Sequence, residues 1–325
     1  MIISKTPYRI SLFGGGTDYP NWYLKNNGQV LSFSINKYVY ISCRYLPNFF
    51  PHNFRILYAK DEKVNKINEI THPSVRETLK HINFKKNLEI HYDGDLPARC
   101  GLGSSSAFTV GLLNCLLTLQ KNKVSPKKLS KLAIFIEQKR VNETVGSQDQ
   151  VAVAYGGINN IIFKKNSNIH VQPIKISSFK QKKLEDNLLL IYTGFTRNAQ
   201  SIAKTYVNRL NQKSSNLELM HSTVDTAKEI IKNGDIDDIG YLLDEFWHLK
   251  KDLSNHITNN YIDDIYNEAI NSGALGGKLI GAGGGGFLLL YAKKNNQKKI
   301  INSLRKLTSV KFKFEYEGSK IIFKN

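Results

Sequence analysis

Residues 97–107 read Pro97-Ala98-Arg99-Cys100-Gly101-Leu102-Gly103-Ser104-Ser105-Ser106-Ala107. An alternating strand pattern, Leu88-Glu89-Ile90-His91-Tyr92, and a turn signal, Asp93-Gly94-Asp95, come before them. An apolar helix pattern from Ala107 to Gln120 follows, carrying Phe108, Leu112, Leu113, Leu116 and Leu117. Glycines let successive backbone N–H groups turn toward one point. A helix start adds unpaired N–H groups and the positive end of its dipole. Serine hydroxyls donate to phosphate oxygens or ligate Mg²⁺ through oxygen. Two glycines and three serines in six residues exceed what a helix cap requires, so the stretch reads as a phosphate cradle. It is not a Walker A loop. The nearest approach to one, Gly273-Ala274-Leu275-Gly276-Gly277-Lys278-Leu279, has the wrong spacing and no hydroxyl after the lysine.

Toward the N-terminus, Pro7-Tyr8-Arg9-Ile10-Ser11-Leu12-Phe13-Gly14-Gly15-Gly16-Thr17-Asp18-Tyr19-Pro20 reads as a strand delivering a triple-glycine turn. Asp18 suits the acceptance of hydrogen bonds from vicinal sugar hydroxyls, and Arg9 is a fixed cation on the same element. The plain alternative is a surface turn with an Asp cap. Toward the C-terminus, Lys278-Leu279-Ile280-Gly281-Ala282-Gly283-Gly284-Gly285-Gly286-Phe287 formally fits GxGxxG. It runs into a strand, Phe287–Tyr291, rather than a helix, so no dinucleotide site is expected. Five glycines in a six-residue span point to close backbone approach. Between these lies Gly146-Ser147-Gln148-Asp149-Gln150. Alone, Asp149 reads as an ordinary residue of a helix N-terminus.

A length of 325 residues suggests two domains at roughly 150 residues each. Val30–Ile35 and Tyr38–Cys43 read as two strands. Ser125 is a helix N-cap with Pro126 at the first position, opening a helix to about Val141. Ile158–Lys164 and Ile169–Ile174 read as a hairpin, and the polar stretch 175–187 as the boundary. Leu188–Tyr192 is a buried strand, and residues 198–272 are mostly helical. Leu242, Leu243, Phe246, Leu249 and Leu253 make an apolar stripe there. A lysine-rich helix (about 295–307) and two short strands follow. The fold class expected is α+β in two lobes, divided as 1–182 and 183–325.

Lys+Arg number 46 against 27 Asp+Glu, a net charge of +19. Only nine are Arg, and the 37 Lys are scattered, which describes a solvated surface rather than a nucleic-acid reader. No apolar run approaches a membrane span, and residues 1–7 do not read as a signal peptide. Cys43, Cys100 and Cys115 form no CxxC, as expected of reduced thiols in a cytoplasmic protein. No histidine pair has zinc-site spacing.

In their order and spacing, the segments near 7–20, 97–107 and 278–287 resemble the three motifs of the GHMP kinase superfamily. Gly14-Gly15-Gly16-Thr17-Asp18 and Gly146-Ser147-Gln148-Asp149-Gln150 look like the branch acting on D-glycero-D-manno-heptose 7-phosphate. Gly15-Gly16-Thr17 stands where galactokinases have Gly-Glu-His, and fucokinase domains carry a related Gly-Gly-x-Thr-Asp variant. The resemblance implies an N-lobe like ribosomal protein S5 domain 2 and a ferredoxin-like C-lobe, with ATP and sugar meeting between them. It implies an ATP-dependent carbohydrate kinase phosphorylating the C1 hydroxyl to give a 1,7-bisphosphate, on a route to GDP-heptose and surface polysaccharide. The implied cofactors are ATP and Mg²⁺.

Carried onto this sequence, the resemblance gives Gly101, Leu102, Gly103, Ser104, Ser105 and Ser106, with Arg99, to the ATP phosphates. It gives Ser105 and Glu137 to Mg²⁺, and makes Asp149 the group that takes the sugar hydroxyl's proton, held ionised by Arg9. It gives Gly15, Gly16, Thr17, Asp18, Gly283 and Gly284 to the sugar. Arg197 is the candidate for the distal phosphate. The plain reading of Glu137 is a surface residue paired with Arg140 at i+3. A fucokinase-like kinase of an unphosphorylated sugar, or a non-catalytic sugar- or nucleotide-binding protein on this fold, are the alternatives. The partners expected are a sugar phosphate and ATP, with no nucleic acid and no membrane, and a homodimer stays open.

Overall fold

A computed structural model describes residues 1–196 and 199–325. Arg197, the candidate for the distal phosphate, lies outside the described residues. Among them the chain forms two sheets. The first is nine-stranded and begins with β1 (Ile2–Phe13), β2 (Gly28–Tyr45), β3 (Phe54–Leu57), β4 (Asp61–Val64), β5 (Leu88–Gly94), β6 (Ile158–Phe163) and β7 (Ile169–Pro173). The second contains β8 (Leu188–Tyr192), β9 (Gly276–Leu279), β10 (Phe287–Tyr291) and β11 (Thr308–Val310), in the order β11-β8-β10-β9. The chain then crosses back, and β12 (Phe314–Glu315) and β13 (Lys320–Lys324) join the first sheet. The second sheet is antiparallel throughout. Counted within itself, its strand order is 4-1-3-2, the ferredoxin-like arrangement implied by the resemblance.

Three expectations are corrected here. Val30–Ile35 and Tyr38–Cys43 are one strand, β2. Pro7 pairs with Tyr38 and Tyr8 with Ile35, so Asn36 and Lys37 bulge out and the ladder continues. Along its other edge β2 meets β6, then β12, then β5. The boundary stretch is largely helical (Ser178–Asn187), capped by Ser177 Oγ, which accepts from Lys180 N–H. The unit 183–325 builds the second sheet only as far as Val310, because residues 314–324 pair with β1 and β2.

The helices, in order, are α1 (Pro20–Asn26), α2 (Pro73–His81), α3 (Ser104–Leu119), α4 (Pro126–Phe135), α5 (Gln148–Tyr155) and α6 (Ser178–Asn187). Then come α7 (Ala199–Val207), α8 (Ser214–Lys232), α9 (Asp238–Lys251), α10 (Asn260–Asn271) and α11 (Lys294–Ser303). Ser125 caps α4 as expected, accepting from Lys128 N–H. That helix does not run unbroken to Val141 but passes into a π-helical turn, Ile136–Arg140. Helix α3 starts at Ser104, so all three serines of the cradle lie in its first turn. It is buried on nearly every side, which explains its continuous apolar run. The stripe on α9 buries Leu242, Leu243 and Phe246, and Phe246 meets Phe13 of β1 edge-on at 5.7 Å between ring centroids. One continuous core thus runs beneath both sheets.

Candidate active site

The three glycine-rich turns converge where the sheets meet. Gly101 has φ +85°, and a Cβ there would lie 2.5 Å from the Ile280 carbonyl oxygen. Glycine is required at this crossing for both reasons. A cavity of about 980 Å³ opens along the seam. Its walls include Gly15, Gly16 and Asp18 from the first turn, Arg99, Gly101 and Gly103–Ser106 from the second, and Gly281 and Ala282 from the third.

Arg9 lies at the centre and is 3% exposed. Its Nε and Nη2 donate to the two carboxylate oxygens of Asp149 at 2.7 and 2.6 Å. Its Nη1 donates to the Gly101 carbonyl at 2.7 Å. This fork orients Asp149 bidentately and ties it to the Gly101–Ser106 turn. Asp149 keeps 27% of its side chain exposed, toward the cavity it lines. Asp18 sits beside it, 1% exposed. It accepts from the backbone N–H groups of Gly16 at 3.0 Å and Gln148 at 3.3 Å. Burial raises the Asp18 carboxyl, the Gly16 N–H pulls it back down, and the nearby Asp149 raises it further.

At the start of α3, the N-cap is Gly103 in a left-handed conformation, with no side-chain cap. The orphan N–H groups of that turn lie at the cavity wall, where an anion would satisfy them. Ser104 Oγ accepts from Arg99 N–H at 3.1 Å and stiffens the loop. Tyr58, His72, Tyr92 and Phe108 line one end of the cavity, with His72 stacked on Phe108 at 4.7 Å.

The π-helical turn carries Glu137 inward, and it is fully buried. Such turns insert one residue into a helix and re-aim the side chains that follow. Ser106 Oγ donates to Glu137 Oε2 at 3.0 Å, and Gln150 Nε2 donates to the same oxygen at 2.5 Å. Among the described residues, Glu137 Oε1 is buried with no partner. Burial pushes this carboxyl up to about 8, Glu143 adds to the rise, and the Gln150 hydrogen bond opposes it. The surface pairing with Arg140 is not made, and Arg140 instead reaches Glu77 at 3.1 Å. An orphaned carboxylate oxygen beside serine hydroxyls fits a hard divalent cation. Ser105 does not meet Glu137: it is exposed in the cavity, and Ser106 makes the contact.

Other expected residues stand elsewhere. Leu102 is buried, and it serves through its carbonyl, which accepts from Arg9 N–H at 3.1 Å. Thr17 is buried in bonds to Gly14 and Gln29 and braces the turn rather than lining the cavity. Gly283 and Gly284 pack against Ile257 instead of the cavity.

Sequence reasoning did not assign Lys250 or Lys278, both buried and both lining the cavity. Lys250 Nζ donates to Leu279 and Gly281 carbonyls at 2.8 and 2.6 Å. Lys278 Nζ donates to Ser11 and Leu12 carbonyls at 3.1 and 2.8 Å. Burial, then Arg9, brings Lys250 down to about 7, and Lys278 falls well below its ordinary value from burial, Lys250 and Arg9. One signal was available. Lys250 falls four residues after Phe246 and three before Leu253, on the apolar stripe of its helix.

Residues 68–157 match the GHMP kinases N terminal domain and residues 227–309 the GHMP kinases C terminal domain. The chain is 30% identical to a D-glycero-alpha-D-manno-heptose 7-phosphate kinase of Campylobacter jejuni subsp. jejuni, covering 98% of each chain. It is 25% identical to a bifunctional fucokinase/GDP-fucose pyrophosphorylase of Arabidopsis thaliana, over 85% of this chain and 28% of that one. The crystal structure of a D-glycero-D-manno-heptose 1-phosphate kinase from B. thetaiotaomicron superposes with a TM-score of 0.80 at 21% identity, covering 100% of both chains.

Proposed function

The chain belongs to the GHMP kinase family, and from that premise we propose that it moves the γ-phosphoryl group of ATP to the C1 hydroxyl of D-glycero-D-manno-heptose 7-phosphate. It is an ATP-dependent carbohydrate kinase. The bidentate Arg9–Asp149 pair carries the reading, because it joins the phosphate cradle to the Asp18 turn across one cavity. The named activity of the Campylobacter relative supports a heptose phosphate as acceptor. A 1,7-bisphosphate product suits the route to GDP-heptose and surface polysaccharide.

Phosphoryl transfer asks chiefly for positioning and charge neutralisation. The N–H groups of Gly101–Ser106 and the uncapped start of α3 take the phosphate oxygens. The aromatic end, with His72 and Phe108, offers flat faces to a nucleobase. Asp18 accepts hydrogen bonds from the sugar at the other end. Asp149, aimed by Arg9, receives the hydroxyl proton as the oxygen attacks. Glu137 Oε1 and the hydroxyls of Ser105 and Ser106 would hold Mg²⁺, which when bound neutralises charge on the phosphates. Residues 1–182 supply most of the nucleotide side, and the second unit closes the cavity with Lys250, Lys278, Gly281 and Ala282.

The experiment is ATP consumption over heptose 7-phosphate, free heptose, fucose and galactose, with NMR identification of the product. Heptose 1,7-bisphosphate is expected. Turnover on free sugars alone selects the fucokinase-like reading. No turnover on any sugar, with nucleotide still bound, selects a binding protein.

A further inference from the structure

Arg9, Lys250 and Lys278 bring three buried basic side chains together at the cavity wall. Among the described residues, Asp149 is the one carboxylate paired with any of them. Like charges in a buried site repel strongly unless an anion joins them. Lys250 lies at the touching point of two glycine turns: Gly281, whose carbonyl holds it, abuts Gly101.

The two lysines are committed to different degrees. Lys278 donates to two carbonyls of β1 and sits 4.2 Å from the Phe246 ring centroid, so it ties β9 to the first sheet. Lys250 donates to two carbonyls of the third glycine turn. An ammonium has three donors, and the third finds no acceptor among the described residues. We infer that Lys250 is a catalytic residue whose ammonium meets the oxygens of the transferring phosphoryl group, with Lys278 the positioning residue behind it. This rests on the kinase reading. In the step, the acceptor oxygen forms a new bond to the γ-phosphorus, and the bond to the β–γ bridging oxygen breaks. Its electron pair leaves with ADP, and the hydroxyl proton passes to Asp149. Lys250 contributes a hydrogen bond and charge, and transfers no proton.

The test uses the full chain as wild type, Lys250→Met, which keeps the volume, and Lys250→Gln, which keeps donors for the Leu279 and Gly281 carbonyls. Both variants should lose at least about 100-fold in kcat, in the range of a lost transition-state donor, with KM for ATP within about threefold. ADP binding should persist. Tight trapping of ADP with aluminium fluoride and sugar phosphate, a mimic of the planar phosphoryl group, should disappear. A folded variant with kcat within threefold of wild type, or with undiminished trapping, overturns the inference. Wild-type turnover is the control: an inactive wild type sinks the kinase reading, whereas active wild type with active variants sinks only the role of Lys250.

Discussion

Asp149 is bonded to Arg9 and Lys250 feels its charge, and the two differ in kind. Asp149 is matched by the Arg9 fork, so Asp149→Asn removes the proton acceptor and also leaves the Arg9 guanidinium without its carboxylate. Asp149→Asn is expected to lower kcat by at least about 100-fold and leave ADP affinity unchanged in a binding titration. Lys250 is a buried cation whose folded value, about 7, lies below its unfolded one. Between these values the unfolded chain holds the extra proton, so stability rises as pH climbs from about 7 toward 10. Below that window the buried charge opposes folding. Lys250→Met should therefore stabilise the chain by roughly 1–3 kcal/mol at pH 6 and by much less at pH 9, as read from denaturant midpoints. Glu137→Ala should raise the Mg²⁺ concentration needed for half-maximal turnover, and an unchanged titration would remove Glu137 from the metal site.

Arg9 and Asp18 stood out because a strand delivers them to a triple-glycine turn, whereas Asp149 alone reads as a helix N-terminal residue and was singled out only by the resemblance. Lys250 and Lys278 were not legible, since hydropathy reads lysine as surface. The choice between Ser105 and Ser106 was also hidden. It depends on where α3 begins, and an offset of one residue turns a side chain by about 100°.

At the scale of elements, the Gly101 turn and the third glycine turn form one unit. Gly101→Ala would put a methyl against the Ile280 carbonyl and force alanine into a left-handed conformation. A cost of about 2 kcal/mol or more is expected in the melting curve. A KM for ATP raised about tenfold would correspond to 1.4 kcal/mol of lost binding. Such crossings are visible as glycine density, although the partner of each glycine is not. The helix α6 escaped notice for a different reason. Only Leu184 and Asn187 of it are buried, so it carries almost no apolar period. The π-helical turn had no signature either: the bond that fixes its Glu137 comes from Gln150, on a different helix.

For the whole molecule, the last strands matter more than their length suggests. Ser319 N–H donates to the Val153 carbonyl, Gly157 N–H donates to Glu315, and Gly318 packs on Ala154. These contacts hold α5, the helix that carries Asp149. Ending the chain at Lys313 should lower the melting transition by roughly 5 °C or more. It should also open β1 to hydrogen exchange and depress kcat more than ADP affinity. The sequence order alone concealed this return, because two short terminal strands look like an extension of the nearest sheet.

The return has a mechanical side. Backbone passes between the sheets twice, once through residues 174–187 and again through residues 311–313. A pair of plates joined by one strap can twist and slide in any direction. Joined at two places, they keep mainly the rotation about the line through both, like a door on two pins. Here the shared core and the bonds of Lys278 to β1 restrain even that rotation, and Arg9, rooted in β1, stays with the side that holds Asp149.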